Sequence, residues 1–425
     1  MTIDAPEAVA AASSARTGVH SVLPAVLCVQ GAALLGLVLP HGSPGWAVLR
    51  AALVVVATIL VITGYRRGAP AVRATCLGLA GVAGVSAGAA LGVAHVAKAA
   101  LSVTAVLGLV VLGTGALLIA AGTTTAIRAT HRWWRLLAIP VAFVVAQFVL
   151  LPVTVAIYAT NVPPTVPGSS TPARWGLPYQ DVRLRTVDGV DLSAWYIPST
   201  NRAAVVALHG SGSTRPDVLD RAVVLARHGD GVLLPDARGH GRSGGDAMDF
   251  GWYGNRDIAA AVSYLAARPD VDPARIGALG MSMGGEQALT AAGADDRIRA
   301  VVAEGVTARV AGDAAWRPHN ISGLIIRGES LVQYSVCEIL GGAPRPVLLR
   351  DAVAATAPRP VLIIAGRPPG EIPAARFYRA AAPGSVQVWE LPDTGHARGL
   401  ATDPSAWTAR VTAFFDRAMP PGPVP

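Results

Sequence analysis

Apolar positions along this chain follow two different rhythms. Up to Thr160 they come in long blocks, at roughly residues 20–40, 47–63, 74–96, 101–121 and 136–158. Each block is near the roughly 20 residues that a helix needs to cross a bilayer. Beyond Asn161 the runs are short. Apolar, β-rich stretches at 203–208, 231–235, 275–279, 299–303, 360–365 and 385–391 alternate with helix-like stretches at 216–228, 255–267, 284–293, 372–382 and 404–418. Two further runs, Val182–Val187 and Val190–Ile197, flank Asp188-Gly189, a strong hairpin signal. Buried strands alternating with helices predict an α/β domain: a mostly parallel sheet covered on both faces, with an antiparallel hairpin at its start.

The expected organisation is therefore an all-α transmembrane domain of about five helices over residues 1–160, a linker over 161–178, and an α/β domain over 179–425. The linker reads NVPPTVPGSSTPARWGLP, a semi-rigid composition unsuited to a core. Residues 1 to about 18 are small and polar and are expected to be disordered.

Composition and charge sharpen the membrane reading. A mean hydropathy of +0.46 with only 15% charged residues is too apolar for an ordinary soluble protein. The net charge of +8 is unevenly placed: nine basic and two acidic residues lie up to Thr160, against 26 and 25 beyond it. An excess confined to the apolar half points to membrane topology rather than to a phosphate-binding face, so no nucleic-acid partner is expected. Arg66, Arg67 and Arg73 mark one cytoplasmic loop and Arg128, Arg132 and Arg135 another, whereas the segments at His41–Gly45 and Lys98 carry little charge. Five spans with those loops inside put the N-terminus in the cytoplasm and everything after Thr160 outside. Trp46, Trp133 and Trp134 stand at segment ends, as interfacial anchors do. The third block contains GVSAG (Gly84–Gly88), which suits close helix packing and is also common in apolar helices generally. Cys28, Cys76 and Cys337 show no metal spacing, and two of them lie in apolar runs, which argues against a disulfide framework.

The chemistry centres on Arg275–Gly293, RIGALGMSMGGEQALTAAG: a short apolar strand, a serine flanked by glycines, and an alanine-rich helix. Ser282 occupies G-x-S-x-G, which suits a sharp strand-to-helix turn that holds a hydroxyl out over the end of a sheet. GRSGG (Gly241–Gly245) matches the same pattern, but Ser243 lies well past its nearest apolar run and no helix-like segment follows directly. Only Ser282 has the context of a nucleophile.

At this point the chain resembles the α/β-hydrolase superfamily, in its dipeptidyl-peptidase, dienelactone-hydrolase and acyl-transfer branches. The matching residues are LHGSG (Leu208–Gly212), PDARGHGRSGG (Pro235–Gly245), GMSMGG and PDTGH (Pro392–His396), over roughly residues 180–418. The resemblance implies Ser282 as nucleophile, His396 as base, and an oxyanion hole from the backbone N–H groups of Ser211 and Met283. A neutral hydroxyl is a poor nucleophile until a base takes its proton, so a histidine must reach it. His209 and His240 are expected to be structural or to line the site, and Asp236 and Asp257 to hold loops. The acid departs from the pattern. An Asp is expected after the strand Val361–Ala365, but the loop reads GRPPGEIP, and Glu371 is its only carboxylate. Glu371 is either the acid or a helix-initial residue favoured by the dipole, and Glu304 is the rival orienter. Asp393 is too near His396 in sequence to be its partner.

Residues 305–359 form an insertion where such proteins often carry caps. There, Ile321–Leu340 reads either as a cap helix that touches the bilayer or as ordinary packing. Nothing reads as a metal site, a dinucleotide fingerprint or a phosphate loop, so no cofactor is expected. The leading expectation is a membrane-anchored serine hydrolase acting on an ester, thioester or amide of a small molecule, lipid or peptide. An acyltransferase using the same Ser-His site, and a non-catalytic binding protein with a degenerate domain, are the alternatives. The topology is testable in intact cells: surface cysteines introduced into the 179–425 domain should react with an impermeant maleimide, and one at Arg67 should not. Protection of the 179–425 domain would reverse the orientation.

Overall fold

The computed structural model describes residues 5–38, 44–99, 101–161, 165–245 and 247–421, with the side chains of 5–21, 44–46, 99 and 134 outside the description. It divides into two compact units, at Tyr158 and Ala159.

The first unit is helical. Its elements are α1 (Ala5–Val38), α2 (Pro44–Arg67), α3 (Pro70–Ala87), which runs through a π-helical turn at Gly88–Val93 into α4 (Ala94–Ala99), then α5 (Val103–Ala129) and α6 (Ala138–Val145), which continues through a second π turn at Ala146–Leu150 into α7 (Leu151–Thr160). Ser102 caps α5 by accepting the Ala105 N–H at 3.1 Å. Among the described residues four stretches are long and apolar enough to cross a membrane: Ala47–Arg67, Pro70–Lys98, Val103–Ala129 and Arg135–Thr160. A shorter apolar stretch, Val22–Val38, lies in α1. The disorder expected up to residue 18 is not observed for residues 5–18, which are helical; six alanines between Ala5 and Ala15, the best helix former, explain why. Most of the loop at His41–Gly45 and the side chains of Trp46 and Trp134 lie outside the described residues, while Trp133 is exposed.

Glycines make the seam between α3 and α5. A Cβ built on Gly108 would lie 2.3 Å from the Gly92 nitrogen, one on Gly88 2.4 Å from the Leu112 nitrogen, and one on Gly115 2.7 Å from the Val85 nitrogen. The two backbones meet directly, as small residues permit, and GVSAG supplies part of that seam.

In the second unit an eight-stranded sheet has the order β1-β2-β4-β3-β5-β6-β7-β8. The strands are β1 (Gln180–Arg185), β2 (Asp191–Ile197), β3 (Ala204–Leu208), β4 (Gly231–Pro235), β5 (Ile276–Met281), β6 (Ile298–Glu304), β7 (Val361–Gly366) and β8 (Val386–Leu391). β1 and β2 are antiparallel, β2 pairs antiparallel with β4, and every pairing from β4 to β8 is parallel. The hairpin closes over three residues, Val187–Gly189, rather than over Asp188-Gly189 alone. Thr186 pairs with Val190, its Oγ1 accepts the Val190 N–H at 2.9 Å, and Gly189 takes φ +80°.

Helices cover both faces. α9 (Gly254–Ala266), α10 (Met283–Ala294), α12 (Leu349–Thr356) and α13 (Glu371–Arg379) share one core with Ala204, Val206 and Leu208 of β3. α8 (Leu219–His228) and α15 (Pro404–Ala418) share the other with Val205 and Ala207. Successive β3 residues enter opposite cores because side chains alternate along a strand, which is why the central strands are apolar throughout. The linker composition misleads at its end. From Pro172 the chain forms a short 3-10 turn, and Trp175 and Leu177 pack against the α8–α15 core. The insertion contains α11 (Ile321–Leu340), capped by Asn320, whose side chain accepts the Gly323 N–H at 2.9 Å; the short α14 (Gly399–Thr402) precedes α15.

The glycine seam sets a test. Gly108→Leu forces side-chain atoms into the Gly92 backbone, an overpacking that costs about 1–3 kcal/mol or more. It should lower the thermal midpoint of the detergent-solubilised protein. Gly113→Ala, which meets nothing within 4 Å, should leave that midpoint unchanged or raise it.

Candidate active site

Ser282 stands between the end of β5 and the first residue of α10 with φ +52° and ψ −122°, a region that non-glycine residues rarely enter and that costs of order 1–3 kcal/mol. The surroundings enforce it. A Cβ on Gly280 would lie 2.2 Å from the Gly284 carbonyl oxygen, and one on Gly284 would lie 2.6 Å from the carbonyl oxygens of Leu208 and His209. The chain thus crosses itself at a distance open only to glycine on both sides of the serine. The Ser282 N–H donates to the Glu304 carbonyl at 2.7 Å, and the Ser282 carbonyl accepts the Glu286 N–H at 3.0 Å.

The loop after β3 lies against this turn: a Cβ on Gly210 would come 3.5 Å from the Ser282 Cβ. Ser211 follows, and Met283 opens α10, where a first-turn N–H has no intrahelical acceptor. Neither the Ser211 nor the Met283 N–H has an acceptor among the described residues. Two histidines hold the loops around them. His209 Nε2 accepts the Ala237 N–H at 2.9 Å while Nδ1 donates to the Gly210 carbonyl at 2.8 Å. His240 Nε2 accepts the Gly212 N–H at 3.1 Å while Nδ1 donates to the Arg238 carbonyl at 2.9 Å. These bonds require neutral rings, and burial pushes the His209 pKa down. Ser243 is spent on the same scaffold, accepting the Ser193 N–H at 2.9 Å and donating to the Asp236 carbonyl at 2.6 Å. Asp236 is fully buried and takes the N–H groups of Arg215 and Arg242. Asp257 binds Arg238 at 2.7 Å.

His396 lies in the loop after β8, half-exposed, with Nδ1 2.6 Å from Glu371 Oε1. A carboxylate only accepts, so Nδ1 carries the proton and Nε2 keeps the lone pair. Glu371 is buried at the first residue of α13, and its other oxygen accepts the Gly366 N–H at 2.8 Å. The two readings of this residue thus coincide: a helix-initial acid that also meets the histidine. The ring also lies on Gly305, φ +75°, where a Cβ would come 3.0 Å from Cε1. The hydrogen bond to Glu371 raises the His396 pKa, offset in part by desolvation.

Glu304 faces elsewhere. Its carboxylate takes the Gly399 N–H at 2.6 Å and Arg221 Nη2 at 3.2 Å. Arg221 went unnoticed in the sequence, although a cation between Leu219 and Ala222, on the apolar face of an amphipathic helix, is the kind of signal that marks a buried partner. Among the described residues no group of three or more His, Cys, Asp or Glu side chains could hold a metal ion.

The strand order, the helices on both faces and the tight serine turn decide the architecture. The second unit has the α/β-hydrolase fold. Residues 199–331 match the family described as serine aminopeptidase, S33. The chain is similar to an esterase of Pyrococcus furiosus, with a TM-score of 0.51 and 25% identity over 61% of this chain and 98% of that one. It is 28% identical over 202 residues to the uncharacterized protein YfhR of Escherichia coli, 46% of this chain and 64% of that protein. It is 37% identical over 128 residues to the polyketide transferase ATR5 of Stachybotrys chlorohalonatus, 29% of this chain and 43% of that protein. The matched stretch spans less than two thirds of each of these two relatives.

The pairing sets a pH test. In an α/β-hydrolase unit with this geometry, His396 should titrate by NMR above the ordinary histidine value of about 6.5, and Glu371→Gln should bring it down. The sign for stability follows. A pKa raised on folding contributes stability that is full below the unfolded value and lost as pH rises through the folded one. Identical titrations in parent and variant would remove Glu371 as the cause.

Proposed function

We propose that this protein is a membrane-anchored serine hydrolase that cleaves an ester, thioester or amide through an acyl-enzyme, with its hydrolase domain outside the cytoplasmic membrane. The observation that carries the reading is the buried Glu371 carboxylate 2.6 Å from His396 Nδ1, which leaves Nε2 as a base in a domain that holds Ser282 at a strand-to-helix turn. The esterase and peptidase character of the similar proteins supports hydrolysis.

In this mechanism His396 Nε2 takes the Ser282 proton as Oγ bonds to the substrate carbonyl carbon. The oxyanion accepts from the Ser211 and Met283 N–H groups, which have no other acceptor among the described residues. Glu371 stabilises the imidazolium. The imidazolium then protonates the leaving group as the carbon–leaving-group bond breaks, and a water activated by the same histidine releases the acyl group. A second reading, transfer of the acyl group to an alcohol or amine, draws on the polyketide transferase among the relatives. Product analysis with and without added acceptor alcohols separates the two.

A fluorophosphonate probe should label the parent at Ser282 and leave Ser282→Ala unlabelled. An unlabelled folded parent would favour the non-catalytic alternative. Glu371→Gln should lower kcat by roughly 10²–10⁴-fold, because the imidazolium loses its counter-charge and the ring its fixed tautomer. Activity equal to that of the parent would remove Glu371 from the mechanism.

A further inference from the structure

We propose that Glu304 and Arg221 are positioning residues that hold the His396 loop in register with Ser282. The inference rests on the serine-hydrolase reading of that site.

Glu304 ends β6 and reaches both halves of the site at once. Its backbone carbonyl accepts the Ser282 N–H at 2.7 Å. One carboxylate oxygen accepts the Gly399 N–H at 2.6 Å, and the other accepts Arg221 Nη2 at 3.2 Å and Nε at 3.3 Å. Arg221 Nη2 in turn donates to the Ala397 carbonyl at 2.6 Å. Two residues just after His396, Ala397 and Gly399, are thus bound to one ion pair, and the serine amide is bound to Glu304 as well. The next residue, Gly305, carries the imidazole ring on its face.

Three features mark this as a built device. Both partners are buried, Glu304 at 4% and Arg221 at 3% exposure, where an ion pair is retained only with good geometry and satisfied hydrogen bonds. Ala397 adopts φ +48°, a left-handed conformation that an alanine holds only under external constraint. A Cβ on Gly399 would lie 2.9 Å from Glu304 Oε1, so the loop approaches the carboxylate as closely as glycine allows. Arginine holds the Glu304 carboxylate through both Nε and Nη2 while Nη2 also reaches the Ala397 carbonyl, a fixed planar geometry that the single flexible ammonium of lysine does not reproduce. Glu304 also contributes negative charge near His396, with Glu371 the main acidic neighbour and Glu286 a further one.

Glu304→Gln and Arg221→Lys should each lower kcat by about tenfold to a hundredfold, the range expected when a base is misplaced by up to about 1 Å. KM should stay within about twofold. Rates are normalised to the sites that a fluorophosphonate ultimately titrates, so that partial unfolding does not count as lost catalysis. Glu304→Gln should also shift the acid limb of kcat/KM to lower pH, since a negative charge near the imidazole is gone; a scaffold role alone would not move that limb. Arg221→Lys keeps the buried charge and so tests the geometry should the glutamine variant fold poorly. Parent-like kcat and pH profile in either folded variant would overturn the proposal. Ser282→Ala in the same set keeps the two failures apart. If it labels and turns over like the parent, the serine-hydrolase reading falls. If it is inert while either of the other folded variants matches the parent, only the positioning role falls.

Discussion

The constraint on which the serine turn depends is the self-crossing of the chain at Gly280 and Gly284. With no Cβ on either residue, the end of β5 can pass within contact of the start of α10, and both can lie against the carbonyls that end β3. Ser282 is forced into a positive φ as a result, at a cost that the buried strands on either side absorb. The start of α10, with its free N–H groups, and the loop after β3 are brought beside Ser282 by the same crossing. The geometry of the candidate site is a consequence of this close packing.

Around that turn, polar groups are organised by burial. His209 and His240 each use one ring nitrogen as acceptor and the other as donor, a pattern open only to neutral imidazole. Asp236 and Glu371 satisfy buried backbone N–H groups at loop junctions. Glu286, in the first turn of α10, is pushed up to about 7 by desolvation and still accepts two backbone N–H groups. An unpaired buried polar group would cost more than any of these bonds contributes, so the loops take the only conformations that satisfy them.

The first unit solves a different problem with the same residue. In helices apolar on all sides there is little hydrophobic preference for one partner over another, so direct backbone contact decides which faces meet. Gly88, Gly92, Gly108 and Gly115 supply it. Glycine serves at a turn in one unit and at a helix seam in the other, and in both cases its value is the space that it leaves.

The apolar rhythm of the chain was enough to establish the α/β class, the hairpin, each strand to within one or two residues and the membrane-length helices, because burial on one or two faces writes its period directly into the sequence. The serine turn was also legible, since only a strand-to-helix crossing needs glycine on both sides of it; Ser243, with the same motif, lacks that context. The sequence left the acid open between Glu371 and Glu304. Residues 25 and 92 positions before His396 cannot be ranked by spacing, and the choice depends on how the loops after β6, β7 and β8 stack at one sheet edge. Tertiary structure alone brings Glu371 to the imidazole and turns Glu304 toward Arg221, whose residue sits on a helix covering the other core. Local pattern records which side chains are buried, whereas the pairing of buried charges is decided by contacts between segments far apart in the chain.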